Sequence, residues 1–175
     1  EGFAVLKDTG HLGADPLRRY QAFFWEHRSF RGDQYKVPPY QDPPEGNWGQ
    51  GMWLAYSPDG IHWNNHGRVI DTGSDTHQTL VYDPRLNRYV CFNRIGAGGR
   101  NIARLESPDL LSWGKPQRVF QADERDPPGT QVYGMSVIIY EGVYIGLPWM
   151  FWEGSSNRLD VQLASSRDGI HWRRA

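Results

Sequence analysis

Cysteine is nearly absent: Cys91 is the single one in 175 residues, so neither an intrachain disulfide nor a cysteine-based zinc cluster can form. Excess charge is absent too. With 19 Lys and Arg against 20 Asp and Glu, the formal net charge is −1 and the pI about 6.7. No global positive field exists to hold a polyanion, which speaks against nucleic acid as a partner. There is also no unbroken apolar run. The most apolar stretch, 132–152, is cut in half by Glu141-Gly142 and interrupted again by Pro148, and it reads as two strands joined by a tight turn, not as a membrane span. The six histidines (His11, His27, His62, His66, His77, His171) lack metal-ligand spacing. Neither a metal site nor a cofactor is therefore expected, and a structural calcium ion would leave no mark of its own in the sequence. The sequence opens at Glu1-Gly2-Phe3 with no secretory signal and no initiator Met.

Aromatic residues and turn formers are abundant. Aromatics make up 14% of the chain, with eight Trp and nine Tyr, and there are twenty Gly and twelve Pro. That mixture suits packed sheets with frequent tight turns. A repeat organises it. Ser57-Pro58-Asp59-Gly60-Ile61-His62-Trp63 returns as Ser166-Arg167-Asp168-Gly169-Ile170-His171-Trp172, and more loosely as Ser107-Pro108-Asp109-Leu110-Leu111-Ser112-Trp113. Ahead of it, Asp15-Pro16-Leu17-Arg18-Arg19-Tyr20 matches Asp83-Pro84-Arg85-Leu86-Asn87-Arg88-Tyr89, and Tyr140-Glu141-Gly142-Val143-Tyr144 takes that place in the third copy. Each unit reads as strand, turn, strand, longer loop, strand, Asp-Gly turn, strand, which is the plan of a β-propeller blade.

The fold class expected is therefore all-β: a single partial propeller domain over 1–175, with blades at about 1–72, 73–125 and 126–175. In the third repeat one strand is expected over Asp160–Ala164, and the fourth is expected to be missing or supplied from elsewhere. Three blades do not close a ring. The chain is read as a segment of a longer one or as a unit that self-associates. The Asp-Gly pairs are explained by turn geometry, because Gly tolerates positive φ and Asp accepts from nearby N–H groups, so Asp59, Asp109 and Asp168 are read as structural.

Strand direction sorts the remaining polar residues between the two ends of the blades. The loops from second to third strands (27–51, 95–101, 152–159) and the inter-blade connections (71–78, 121–132) share one mouth, while the first hairpins, Glu141 among them, and the Asp-Gly turns lie on the opposite rim. Hydrolysis of a glycosidic bond needs two facing carboxyl groups, roughly 5 to 9.5 Å apart depending on the stereochemical course. Asp75 and Asp126 each precede the innermost strand of a blade and form the expected pair; Glu153 and Glu26, at the ends of second strands, are the candidate proton donors. His77, Gln78, Arg94, Gln131 and Tyr133 supply donors for sugar hydroxyls. Trp48, Trp149 and Trp152 supply faces for stacking, with Trp149, like Trp25, equally readable as a core aromatic.

The Ser-x-Asp-Gly-x-x-Trp turns, together with Asp83-Pro84 ahead of Arg88-Tyr89, resemble the five-bladed propeller glycoside hydrolases of families 43 and 32. The segments Asp75-Thr76-His77-Gln78, Asp126-Pro127-Pro128 with Tyr133-Gly134-Met135, and Asp160-Val161-Gln162-Leu163-Ala164 resemble bacterial secreted, family-32-like propeller proteins. The resemblance runs over nearly the whole chain. It implies a carbohydrate partner, hydrolysis of poly- or oligosaccharide by paired carboxylates, and an extracellular or periplasmic location. Arg125-Asp126-Pro127 matches the Arg-Asp-Pro wording of family 32, whereas the Asn-Asp-Pro-Asn motif that carries that family's nucleophile is absent. A non-catalytic carbohydrate-binding module and an assembly module that completes a ring with another chain are the alternatives.

Overall fold

The computed structural model describes residues 3–8, 15–26, 50–71, 75–96, 98–153 and 156–175. Among the described residues, thirteen strands and one short 3-10 turn, Pro16–Arg18, make up the regular structure. The strands fall into three antiparallel sheets, each laid out in chain order from an inner to an outer strand. Blade 1 is β1 (Phe3–Lys7), β2 (Tyr20–Glu26), β3 (Gly51–Ser57) and β4 (Asn64–Ile70). Blade 2 is β5 (Thr79–Asp83), β6 (Arg88–Ile95), β7 (Asn101–Ser107) and β8 (Gln117–Phe120). Blade 3 is β9 (Thr130–Tyr140), β10 (Val143–Trp152), β11 (Arg158–Val161), β12 (Ala164–Ser166) and β13 (Arg173–Arg174). Residues 132–152 form the β9–β10 hairpin around Glu141-Gly142, and among the described residues no helix is long and apolar enough to cross a membrane.

Blade 3 departs from expectation at its outer half. The third strand is split at Gln162-Leu163 into β11 and β12, both paired with β10. Pro148 lies opposite the break. Gln162 N–H still donates to Pro148 C=O at 3.0 Å, but proline has no N–H to return, and the ladder is interrupted there. The fourth strand is present in short form: Arg173 and Arg174 pair with Ser165 and Ala164.

The three repeated turns share one hydrogen-bond pattern. Ser57 Oγ accepts from Gly60 N–H at 2.8 Å, Asp59 Oδ1 accepts from the N–H groups of Ile61 and His62 at 2.8 Å each, and Trp63 Nε1 donates to Gly60 C=O at 3.1 Å. The turns at Asp109 and Asp168 repeat every one of these bonds. Gly60 and Gly169 have φ of +80° and +73°. Leu110 holds the same place at +67°, a conformation that disfavours a branched side chain, and it is offset by burial in the core.

The core lies between sheets. Phe23, Trp25, Met52 and Leu54 of blade 1 pack on Leu80, Tyr89, Cys91 and Leu105 of blade 2. Val90, Phe92 and Ile102 of blade 2 pack on Val132, Met135, Val137 and Tyr144 of blade 3. This is why the strand β7 is buried on both faces, with no polar and apolar alternation. The turn tryptophans close the gaps: Trp113 lies 5.2 Å from Phe23 of the preceding blade, and Trp172 lies 5.8 Å from Phe92.

Candidate functional site

Side-chain contacts fix the two ends of the blades. At one end Arg85, in the first turn of blade 2, donates to the carbonyls of Gly142 and Arg167, so the hairpin turns and an Asp-Gly turn share a rim. At the other end the connection before β5, the loop after β6, the start of β9 and the end of β10 converge. Asp75 and the Asp-Gly turns are thus on opposite ends, as strand direction requires.

A bulge aims the central residue of this mouth. The β9–β10 register pairs Trp149 with Gly134 and Met150 with Val132, leaving Tyr133 as the extra residue. A bulge swings its side chain out of the regular alternation. Tyr133 lies beneath two guanidinium groups, with Arg94 at 4.7 Å and Arg100 at 5.7 Å from the ring centroid. Each arginine holds a carboxylate. Arg94 donates to Asp75 and, at 3.4 Å, to the Tyr133 carbonyl. Arg100 Nη1 donates to Glu153 Oε1 at 3.1 Å and to Gln131 Oε1 at 3.0 Å, while Gln131 Nε2 donates to Glu153 Oε2. Asp75, Arg94, Tyr133, Arg100, Gln131 and Glu153 therefore form one continuous network across blades 2 and 3. Both carboxylates remain open to solvent, with Asp75 56% and Glu153 48% exposed.

An aromatic platform stands beside it. His77 stacks on Trp149 with ring centroids 5.4 Å apart and planes 21° apart. Burial lowers the His77 pKa below the usual imidazole value, which favours the neutral ring. Gly134 makes the Trp149 position possible, since a Cβ there would lie 3.0 Å from the indole ring. Trp152, also half-buried, lies under the guanidinium of Arg158 at 5.5 Å.

The other candidates are placed differently. Asp126 is bound bidentately by Arg174 of the outermost strand β13, with one bond at 2.6 Å, and its side chain is only 4% exposed. Burial pushes its carboxyl up, but the hydrogen bonds from Arg174 and from Asp123 N–H outweigh it and hold the pKa below the usual carboxylate value. This pair ties the connection from β8 to β9 to the outermost strand of blade 3, so the side chain expected to partner Asp75 is engaged by Arg174. Gln78 is fully buried. Glu26 closes β2 opposite Gly51, half-buried. Trp48, and with it the long loop expected to carry function, lies outside the described residues. Among the described residues no cluster of three or more His, Cys, Asp or Glu is arranged to hold a metal ion.

Arg100 has no counterpart among the candidates read from the sequence. Its loop falls at the expected mouth, but nothing local marks which of its residues reaches across to the next blade.

No protein-family model matches the chain, and no curated protein sequence matches it. Solved structures do. An N-acetylgalactosamine deacetylase from F. plautii, in complex with blood group B trisaccharide, superposes with a TM-score of 0.66 at 16% identity, over 99% of this chain and 51% of the other. The α-L-arabinanase of Penicillium chrysogenum, complexed with arabinobiose, gives a TM-score of 0.62 at 12% identity, over 99% and 49%. Sucrose-6-phosphate hydrolase from Lactobacillus gasseri gives 0.59 at 15% identity, over 89% and 30%. The chain thus has the β-propeller fold of carbohydrate-active enzymes, the glycoside hydrolases of the expected resemblance among them. It spans about half the length of the deacetylase and arabinanase chains, and about a third of the sucrose-6-phosphate hydrolase chain.

Proposed function

We propose that the mouth between blades 2 and 3 binds a poly- or oligosaccharide and that Asp75 and Glu153 are the carboxylates that act on it. The observation that supports this is the network from Asp75 through Arg94, Tyr133 and Arg100 to Glu153. It links two solvent-open carboxylates, beside a His77–Trp149 platform fit to stack on a sugar ring. In a glycosidic hydrolysis one carboxyl group protonates the leaving oxygen while the other attacks or activates water. Gln131 and Arg94 supply further polar groups to the same mouth. Asp126 serves the scaffold in this reading, tying the β8–β9 connection to β13.

Release of reducing sugar from a panel of arabinan, fructan and mannan oligosaccharides tests the reading. The panel covers sugars named in similar structures: the arabinanase, a β-fructofuranosidase from Bombyx mori and a β-1,2-mannobiose phosphorylase from Listeria innocua. Asp75→Asn and Glu153→Gln should each lower turnover at least about 100-fold, in the range of lost acid–base catalysis, while binding stays within a few-fold. Full turnover in either variant contradicts the pairing.

One observation favours a second reading, a binding module without turnover. Both carboxylates already accept hydrogen bonds from guanidinium groups, an arrangement equally suited to receiving sugar hydroxyls. Saturable binding with no product from any oligosaccharide would decide for it. The deacetylase among the similar structures adds a third assay, acetate release from N-acetylgalactosamine.

A further inference from the structure

We propose that Arg100 is a positioning residue that, together with Gln131, fixes Glu153 at the mouth as a proton acceptor. The inference rests on Glu153 being one of the two working carboxylates, and it assigns that carboxylate the part of general base, the reverse of the donor role its sequence position suggests.

The geometry is a closed three-membered ring of contacts. The backbone N–H of Arg100 and its Nη1 both donate to Gln131 Oε1, at 3.2 and 3.0 Å, and Nη1 also donates to Glu153 Oε1 at 3.1 Å. Gln131 Nε2 closes the ring on Glu153 Oε2. Each Glu153 oxygen thus faces a donor, and the carboxylate plane is held from both ends. Arg100 is itself fixed. Its carbonyl accepts from Val132 N–H at 2.9 Å, and its guanidinium lies 5.7 Å from the Tyr133 ring centroid and 5.6 Å from that of Phe151.

Stability alone does not explain this arrangement. With Arg100 32% and Glu153 48% exposed, the ion pair contributes little to folding. What the ring supplies is direction: a planar fork sets one orientation where a lysine ammonium, a point charge, would leave the carboxylate free to turn. A carboxylate must be held close to its working geometry to act, which depends on the groups behind it.

The test combines turnover on the oligosaccharide panel with the side-chain amide signal of Gln131 in ¹⁵N spectra of the full chain. In wild-type protein that signal should differ from the position of a free glutamine, and Arg100→Gln should move it toward that position. Arg100→Gln should lower kcat at least about tenfold with KM within about twofold, and adding it to Glu153→Gln should produce no further loss, as expected for residues acting as a unit. Arg100→Lys should recover part of kcat. Independent, multiplying losses from Arg100→Gln and Glu153→Gln overturn the positioning role, as does an unmoved Gln131 signal. Loss of turnover in Glu153→Gln with a wild-type rate in Arg100→Gln overturns it while leaving the paired-carboxylate reading intact. A wild-type rate in Glu153→Gln overturns both.

Discussion

Asp83 is withdrawn from solvent at the rim opposite the mouth, where Arg85 and the hydroxyl of Tyr144 bind its carboxylate. Burial alone would raise its pKa, but the hydrogen bonds from Arg85 and Tyr144 prevail and bring it to about 2. The unfolded chain titrates near 3.9. A depressed native pKa gives stability that is whole above the unfolded value and lost as pH falls through the native one. Melting temperature should therefore fall between about pH 4 and pH 2, and Asp83→Asn should flatten that limb. Tyr144→Phe, which removes one donor, should reduce stability by about 1 kcal/mol in urea titration. Cys91 answers a second question at this scale. It is fully buried, and burial pushes its thiol pKa up, so the native protein should resist alkylation by iodoacetamide until it unfolds. Rapid labelling under native conditions would mean that the sheets open locally.

Among the elements, the hairpin β9–β10 supplies the most side chains to the proposed site. Its bulge presents Tyr133 to both arginines, and Gly134 leaves room for the Trp149 ring. Gly134→Ala should displace that ring from His77, changing the near-ultraviolet circular dichroism and weakening oligosaccharide binding several-fold with the melting temperature nearly kept. Equal binding in the variant would remove Trp149 from the site. The same hairpin shows what can be read from sequence. Its two strands and its Glu141-Gly142 turn follow from composition alone, because a turn is decided by a few adjacent residues. The Asp-Gly turns are legible for the same reason. The break at Gln162-Leu163 was visible only through Pro148, a residue 14 positions away that becomes relevant once register is known. Arg100, the Tyr133 bulge and the capture of Asp126 by Arg174 all join residues distant in sequence, and local pattern cannot carry them. Asp75, Arg94, Gln131, Tyr133 and Glu153 were legible because strand direction places whole loops at one end, even when it cannot say which side chains touch.

At the scale of the molecule, equivalent positions on successive blades meet different neighbours. Register aligns Phe23, Phe92 and Leu147, each opposite the inner strand of its sheet. Phe23 and Phe92 face the following blade and are buried, whereas Leu147 of blade 3 is 42% exposed. Phe92→Ala should therefore destabilise by about 3–5 kcal/mol, and Leu147→Ala by less than about 1 kcal/mol. Comparable losses at both positions would contradict blade packing as the source of stability. The same geometry gives the two ends different chemistry, with a mouth of carboxylates, arginines and aromatics on one side and the three repeated turns on the other. Indole N–H signals distinguish them most directly, in ¹⁵N spectra of the chain titrated with an oligosaccharide that it binds. The Trp149 and Trp152 signals should shift with added sugar, while those of Trp63, Trp113 and Trp172, held by turn carbonyls, stay in place. Shifts confined to the turn tryptophans would put the sugar on the wrong rim and contradict the site.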